Sequence, residues 1–198
     1  MSQTLSPCLS TAMLALIGEC RAIDARGAFD ESDAKKLLGG FCSDETLRSC
    51  ILAADPTPTT PYHRRVFWEQ PGGWSLVGLA WKPGASTHIH DHNRIGFART
   101  LSGQVDSILF RWEGDCVECL GRVSLSDGKV HTIPKGSSYL HAVAAAGDEI
   151  SVDLHFYGPA TAGDLPYRYD PVESSTRITA LPKGSVTRII RRVDPAQC

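Results

Sequence analysis

Apolar residues recur every three to four positions over the first part of the chain, which is the period of an α-helix. The segment they define runs from residue 9 to residue 23, and Gly27 follows it as a helix end. Shorter helices are predicted from Asp33 to Leu38 and from an N-cap at Ser43 to Leu52. Residues 1–55 are therefore interpreted as a helical N-terminal segment. The apolar positions of the first helix are Leu9, Met13, Leu16, Ile17, Cys20 and Ile23.

From Tyr62 onward short apolar runs alternate with turns, and no helices are interleaved with them. Prolines between positions 56 and 61 mark the change, and Asp127-Gly128 is a strong hairpin signal. Many short strands at regular spacing predict an all-β sandwich or barrel. The predicted strands are residues 65–69, 74–81, 104–112, 117–125, 129–133 and 149–157.

The length and composition are those of one globular domain. The chain has 198 residues, of which 42% are hydrophobic and 21% are charged. We predict a single domain over residues 1–198, with the β-rich part at 62–159 and a C-terminal extension at 160–198. The extension holds polar turns and a short apolar run at 186–190, and its pattern predicts no particular shape.

Charge and cysteine content exclude several classes of protein. The net charge is −2 with both signs mixed along the chain, so no basic field would attract nucleic acid or an anionic membrane. No apolar run approaches the ~20 residues that span a bilayer, and the first residues lack a signal peptide's charged region. Seven scattered cysteines are unlike a secreted disulfide framework, and Cys116 and Cys119 lack the second pair of a zinc ribbon. We predict a cytoplasmic protein with no nucleic-acid, membrane or obligate protein partner.

The residues most informative about chemistry are three alternating histidines, His88, His90 and His92. Alternate residues of a strand share one face, but His88 and His92 would lie roughly 13 Å apart on a regular strand. Metal–nitrogen bonds are about 2 Å, so only an adjacent pair can bind one ion, and only where the strand curls. The third ligand must come from elsewhere in the chain. Imidazole ligands suit iron, copper, nickel and zinc.

Two glycine-histidine patterns resemble the motifs of the cupin superfamily. Gly84, five residues, His90, Asp91 and His92 resemble the first motif, although Gly96 stands where that motif carries a glutamate ligand. Residues 128–141 resemble the second motif with a longer last gap, and His141 stands at its histidine. The resemblance implies a cupin double-stranded β-helix, a jelly-roll barrel, with the helical segment before it. It also implies three neutral ligands, His90, His92 and His141, which leave the ion its full charge toward an anionic ligand such as a thiolate.

Within the cupins the chain resembles the cysteine dioxygenase and bacterial thiol dioxygenase family. The resemblance covers about half the chain, from Tyr62 to Pro159. It rests on His90-Asp91-His92 together with four further segments of the sequence. These segments are Tyr62-His63-Arg64, Trp81-Lys82-Pro83-Gly84, Leu140-His141 and Asp153-Leu154-His155-Phe156-Tyr157-Gly158-Pro159.

The family resemblance implies an enzyme that uses Fe(2+) and dioxygen to oxidise a small thiol, both oxygen atoms going to sulfur to give a sulfinate. Arg64, with Tyr62, is implied to bind the substrate carboxylate through the planar fork of the guanidinium. Tyr157 is implied to form hydrogen bonds near the oxygen and the carboxylate, and His155 to hold Tyr157. Asp153 replaces the family's serine, and a carboxylate beside His155 favours the imidazolium form.

Substrate choice stays open among several thiols. Arg64 favours L-cysteine, because members that act on 3-mercaptopropionate carry glutamine there. Mercaptosuccinate would need a second cation, for which Arg168 is a candidate. A cupin that binds metal as a sensor without turnover is the alternative from another class. Gly96 stands where mammalian relatives carry a cysteine that cross-links to the tyrosine, which bacterial members often lack.

Overall fold

Three helices open the part of the chain that the structure describes. In a computed structural model this part comprises residues 10–27, 29–41, 45–53, 61–136, 138–160, 167–172 and 177–193. Residues 191–193 are described as backbone only. The helices are α1 (Thr11–Asp24), α2 (Glu31–Phe41) and α3 (Glu45–Leu52). They confirm the helical segment predicted from the sequence, while the predicted N-cap at Ser43 lies outside the described residues.

Eleven strands follow within the described ranges, and their paired neighbours run antiparallel. One sheet has the order β1-β2-β9-β4-β7, and the others close on themselves in the order β10-β11-β6-β5-β8-β3. This confirms the all-β architecture predicted from the alternating pattern. The strands are β1 (Tyr62–Glu69), β2 (Ser75–Trp81), β3 (Ile89–His90), β4 (Gly96–Ser102), β5 (Val105–Glu113), β6 (Cys116–Ser124), β7 (His131–Ile133), β8 (Leu140–Ala145), β9 (Ser151–Tyr157), β10 (Tyr167–Pro171) and β11 (Val186–Val193).

The helices cover one face of the five-stranded sheet. The helical period puts Leu16 and Leu38 on buried faces, where they join Phe97 and Phe156 of the sheet in one apolar cluster. Removing such side chains from water is the main favourable term in folding. Arg99 of β4 adds a polar contact, because its guanidinium donates to the carbonyls of Leu38 and Gly39 near the end of α2. The other face of the sheet is thereby left to form a cavity.

The C-terminal extension, whose shape the sequence left open, supplies two strands of the closed sheet. β10 pairs with β3 and with β11, and β11 pairs with β6. The carboxylate of Asp91 accepts hydrogen bonds from the Tyr167 backbone N–H and from the Tyr169 hydroxyl at 3.1 Å. Asp91 is therefore a structural residue that ties the segment after β3 to the extension.

None of the described helices has the length and apolar character needed to cross a lipid bilayer.

Candidate metal centre

Three histidines converge at one end of the cavity. His90 ends β3, His92 follows two residues later, and His141 lies in β8 directly opposite His90. The Nε2 atoms of His92 and His141 are 2.9 Å apart, and those of His141 and His90 are 3.2 Å apart. One ring nitrogen from each of the three lies within 4.8 Å of the others. The sequence pointed to these residues, and the fold brings them together.

The donor atoms of this cluster fit a transition-metal ion. Nitrogens bound at about 2.1 Å to one ion, at right angles, would lie about 3 Å apart. The Nδ1 atom of His90 lies 3.0 Å from the carbonyl oxygen of His88, and a carbonyl only accepts, so Nδ1 carries the hydrogen. The Nε2 atom of His90 is then a lone-pair donor aimed at the cluster. Nδ1 of His141 is held by the Ser107 hydroxyl at 3.0 Å.

Burial keeps the imidazoles of His92 and His141 neutral. Loss of water lowers the pKa of His92 well below its usual value, and electrostatic interactions with His90, His155 and Arg94 lower it further. The pKa of His141 is lowered well below its usual value for the same first reason, with His90, His92 and His155 adding to it. Within the described residues no carboxylate belongs to this cluster. The site therefore offers neutral nitrogen ligands alone.

The convergence of His90 and His92 depends on an early end of the strand. β3 has only two residues, and the chain leaves the extended path after His90, so the curl that an adjacent pair requires is present. His88 takes no part in the cluster, because its side chain is 46% exposed and its Nδ1 lies 2.5 Å from Asp170 Oδ1.

The histidines lie in the wall of an open cavity of about 680 Å³, counting the space at its mouth. The cavity collects all the predicted site residues except Asp153, which lies behind its wall. The lining residues are Tyr62, Arg64, Leu79, Trp81, Thr87, His90, His92, Arg94, Ile133, His141, Val143, His155 and Tyr157.

A chain of polar contacts runs back from Tyr157 into the sheet. The Tyr157 hydroxyl lies 3.0 Å from His155 Nδ1, and His155 Nε2 lies 3.5 Å from Asp153 Oδ2. These residues alternate along β9 and so share one face. The indole N–H of Trp81 donates to the same Asp153 oxygen at 3.0 Å. Because a carboxylate accepts hydrogen bonds, the contact between His155 and Asp153 places a proton on His155 Nε2. Nδ1 of His155 is left facing Tyr157.

We expect Asp153→Ala to unfold more easily than Asp153→Asn, by about 1–3 kcal/mol. Both changes remove the charge, but only asparagine keeps an oxygen that can accept from the buried Trp81 N–H. Urea titration of both variants measures the difference. Equal free energies of unfolding would show that Trp81 does not depend on this acceptor.

Tyr157 is a buried phenol packed on a glycine. Burial raises its pKa well above the usual value, with Arg64 acting in the opposite direction, so the hydroxyl keeps its proton. Gly96 lies opposite Tyr157 in the β4–β9 pair, and a Cβ there would come within 3.0 Å of the ring. Glycine thus permits this close packing, and it offers no sulfur for a cross-link.

Arg64 and Tyr62 share one face of β1 at the cavity. The Tyr62 ring lies 4.6 Å from the Trp81 ring, which fixes the wall beside Asp153. Arg64 is exposed to solvent, yet its charge acts on Tyr157. The Arg168 side chain, in contrast, does not line the cavity, and its Nε lies 3.3 Å from Asp170.

Sequence reasoning missed two residues of this site. Arg94 lines the cavity but belongs to no motif, and its place two residues after His92 was the available signal. Ser107 contacts His141 from β5, and alternation along that strand alone would have placed it on an inward face.

Together the fold and the cavity define a β-barrel protein whose three clustered histidines fit a metal ion. The family model for cysteine dioxygenase type I matches residues 1–166, so the chain belongs to the cysteine dioxygenase type I family. This confirms the predicted family and the predicted cupin double-stranded β-helix with its helical N-terminal segment. The match ends at the residue before β10.

Several solved structures resemble this chain at low identity. An oxalate oxidase in complex with glycolate has 14% identity and a TM-score of 0.43, covering 55% of this chain and 56% of its own. An uncharacterised double-stranded β-helix protein from Klebsiella pneumoniae has 17% identity and a TM-score of 0.45, covering 57% and 90%. The TT1209 protein from Thermus thermophilus has 17% identity and a TM-score of 0.44, covering 59% of this chain and 97% of its own. The matched region thus spans about half the length of the oxalate oxidase. A search of the curated proteins gave no match.

Proposed function

We propose that this protein is a non-haem iron(II) thiol dioxygenase that oxidises a small thiol carboxylate with dioxygen to the sulfinate. The observation that carries the proposal is a cluster of three histidines, to which no carboxylate of the described residues belongs, in a cavity that Arg64 also lines. Family membership supports the reaction class. The reaction is R–SH + O2 → R–SO2H, which needs no further reductant.

Each residue of the cavity has a separate task in this proposal. His90, His92 and His141 hold Fe(2+), which when bound supplies the coordination and activation of thiol and dioxygen. Arg64 binds the substrate carboxylate by a charge-assisted pair of hydrogen bonds, and Tyr62 supports it at the cavity wall.

Tyr157 keeps its proton and presents its hydroxyl at the cavity wall. His155 fixes that hydroxyl through Nδ1. Asp153 contacts the other ring nitrogen of His155, and Trp81 in turn holds Asp153. Asp153 and Trp81 are positioning residues in this proposal, since they act through His155. Such outer contacts orient the groups that meet the substrate.

The preference for L-cysteine stays a prediction, because it rests on Arg64 alone. 3-Mercaptopropionate and mercaptosuccinate are the alternative substrates. A metal-binding sensor without turnover would need the same three histidines, but it would not need Arg64 and the Tyr157 hydroxyl directed at one cavity.

Oxygen uptake by the iron-loaded protein tests the proposal. We expect at least one thiol carboxylate from L-cysteine, 3-mercaptopropionate and mercaptosuccinate to consume dioxygen. With ¹⁸O-labelled dioxygen the sulfinate should gain two labelled atoms, measured by mass spectrometry. Iron bound to the protein without uptake of oxygen for any of these thiols would favour the sensor.

A cytoplasmic location also stays a prediction. The single domain over residues 1–198 stays one as well. Among the cysteines whose side chains are described, Cys20, Cys116 and Cys119 are free thiols. Free thiols and iron(II) both suit a reducing compartment.

A further inference from the structure

The cavity carries an excess of positive charge. Arg64 and Arg94 both line it, and of the described residues in its wall none is an aspartate or a glutamate. Both guanidinium groups lie close enough to Tyr157 to lower its pKa, against the larger effect of burial. The nearest acidic group of this site, Asp153, stands behind the wall and already accepts from Trp81. Anionic groups of a ligand would therefore be the counter-charges here.

Arg94 has a buried hydrogen-bond donor that such a ligand could satisfy. Its Nε is buried and has no acceptor among the described residues. Arg168, which pairs with His90 of β3, instead has its Nε 3.3 Å from the Asp170 carboxylate. A buried donor without an acceptor costs stability, and an anion that enters the cavity removes that cost.

The same charges disfavour a ligand that carries an ammonium group. Among the described lining residues no carboxylate could receive it. Two guanidinium groups would repel a third cation in a cavity of this size.

We propose that Arg94 is a second anion-binding residue, and that the substrate is a small thiol with two acidic groups and no ammonium. One acidic group binds Arg64 and the other binds Arg94, while the sulfur faces the three histidines. This rests on the proposed thiol dioxygenase function and narrows its substrate class. It replaces the preference for L-cysteine that Arg64 alone suggests. The reaction keeps its balance: sulfur loses four electrons, the two oxygen atoms gain them, and both carboxylates leave unchanged.

Mercaptosuccinate and 3-mercaptopropionate form the test pair, since they differ by one carboxylate. We expect wild-type enzyme to prefer mercaptosuccinate in kcat/KM. Arg94→Gln should lower kcat/KM for mercaptosuccinate by roughly 10- to 100-fold, while 3-mercaptopropionate changes by less than about threefold. Arg94→Lys should recover part of the loss, because it restores the charge. Arg168→Gln is the matched control and should leave both substrates unchanged.

Binding measured without oxygen separates the substrate class from the reaction. Calorimetric titration of the iron-loaded protein under argon should show the same dependence of mercaptosuccinate affinity on Arg94. Equal effects of Arg94→Gln on both thiols, or none on either, would overturn the two-anion site while oxygen uptake keeps the dioxygenase. Selective binding without oxygen uptake would support the two-anion site and overturn the dioxygenase.

Discussion

His141→Ala will release most of the bound iron and abolish most oxygen uptake. His141 is the one member of the cluster that comes from β8, and its Nε2 lies within 3.2 Å of the Nε2 atoms of both partners. Two histidines from one short segment cannot by themselves close a site around an ion. The loss should exceed the roughly 10- to 100-fold cost of changing a residue that only supports a ligand. Metal analysis of the purified variant, beside about one iron per wild-type chain, measures it.

His131→Ala is the matched control for this variant. His131 lies in β7 and its Nε2 is 2.7 Å from Asp127, so its ring is engaged at the surface rather than in the cluster. This variant should keep its iron. Iron lost from His131→Ala and kept by His141→Ala would mean that the ligand set is wrong.

Arg64→Ala will lower kcat/KM for thiol carboxylates by roughly 10- to 100-fold. A hydrogen bond to a charged group contributes about 1.5–3 kcal/mol, and alanine leaves one substrate carboxylate without this partner. Cysteamine has no carboxylate, so it should be a poor substrate for wild type and insensitive to the change. Oxygen uptake with L-cysteine, 3-mercaptopropionate, mercaptosuccinate and cysteamine provides the comparison.

Arg65→Ala is the neighbouring control on β1. Arg65 alternates to the other side of the strand, where its guanidinium lies 5.1 Å from the Phe67 ring centre. It should leave all four rates unchanged. Rates for cysteamine and the acids that are equal, and equally unaffected by Arg64→Ala, would reject the carboxylate-binding role.

The sequence located the elements better than their ends, for a physical reason that β1 illustrates. The apolar pattern predicted a strand at 65–69, whereas β1 begins at Tyr62. Tyr62 and Arg64 face the cavity at its mouth, where polar groups meet ligand and water, so they add nothing to an apolar alternation. An apolar pattern reports buried positions, so it does not predict site residues at the ends of strands.

The histidine cluster was predictable in its residues and not in its geometry. Alternation placed three histidines on one face, but β3 holds only Ile89 and His90. His88 precedes the strand and contacts Asp170, and His92 follows it. The third histidine of the cluster, His141, lies 51 residues beyond His90, and the family resemblance rather than any local period pointed to it. Arg94 belongs to no motif, and its place two residues after His92 was the one signal that could have pointed to it.

The extension was unpredictable because its strands are defined by distant partners. β10 is mostly polar and aromatic, and it becomes a strand by pairing with β3, some 80 residues earlier in the chain. Non-local pairings of this kind leave little trace in local sequence.

The same pairing sets an order in which the protein can be completed during synthesis. His90 lies between two ladder partners, His141 of β8 and Arg168 of β10. A growing chain that has emerged only as far as residue 160 leaves one edge of the ligand-bearing strand bare, with its backbone groups open to other strands. Residues 167–171 cover that edge, and β11 then joins it to β6. The ribosome therefore adds the strand that covers this edge only after His90, His92 and His141 have all been made.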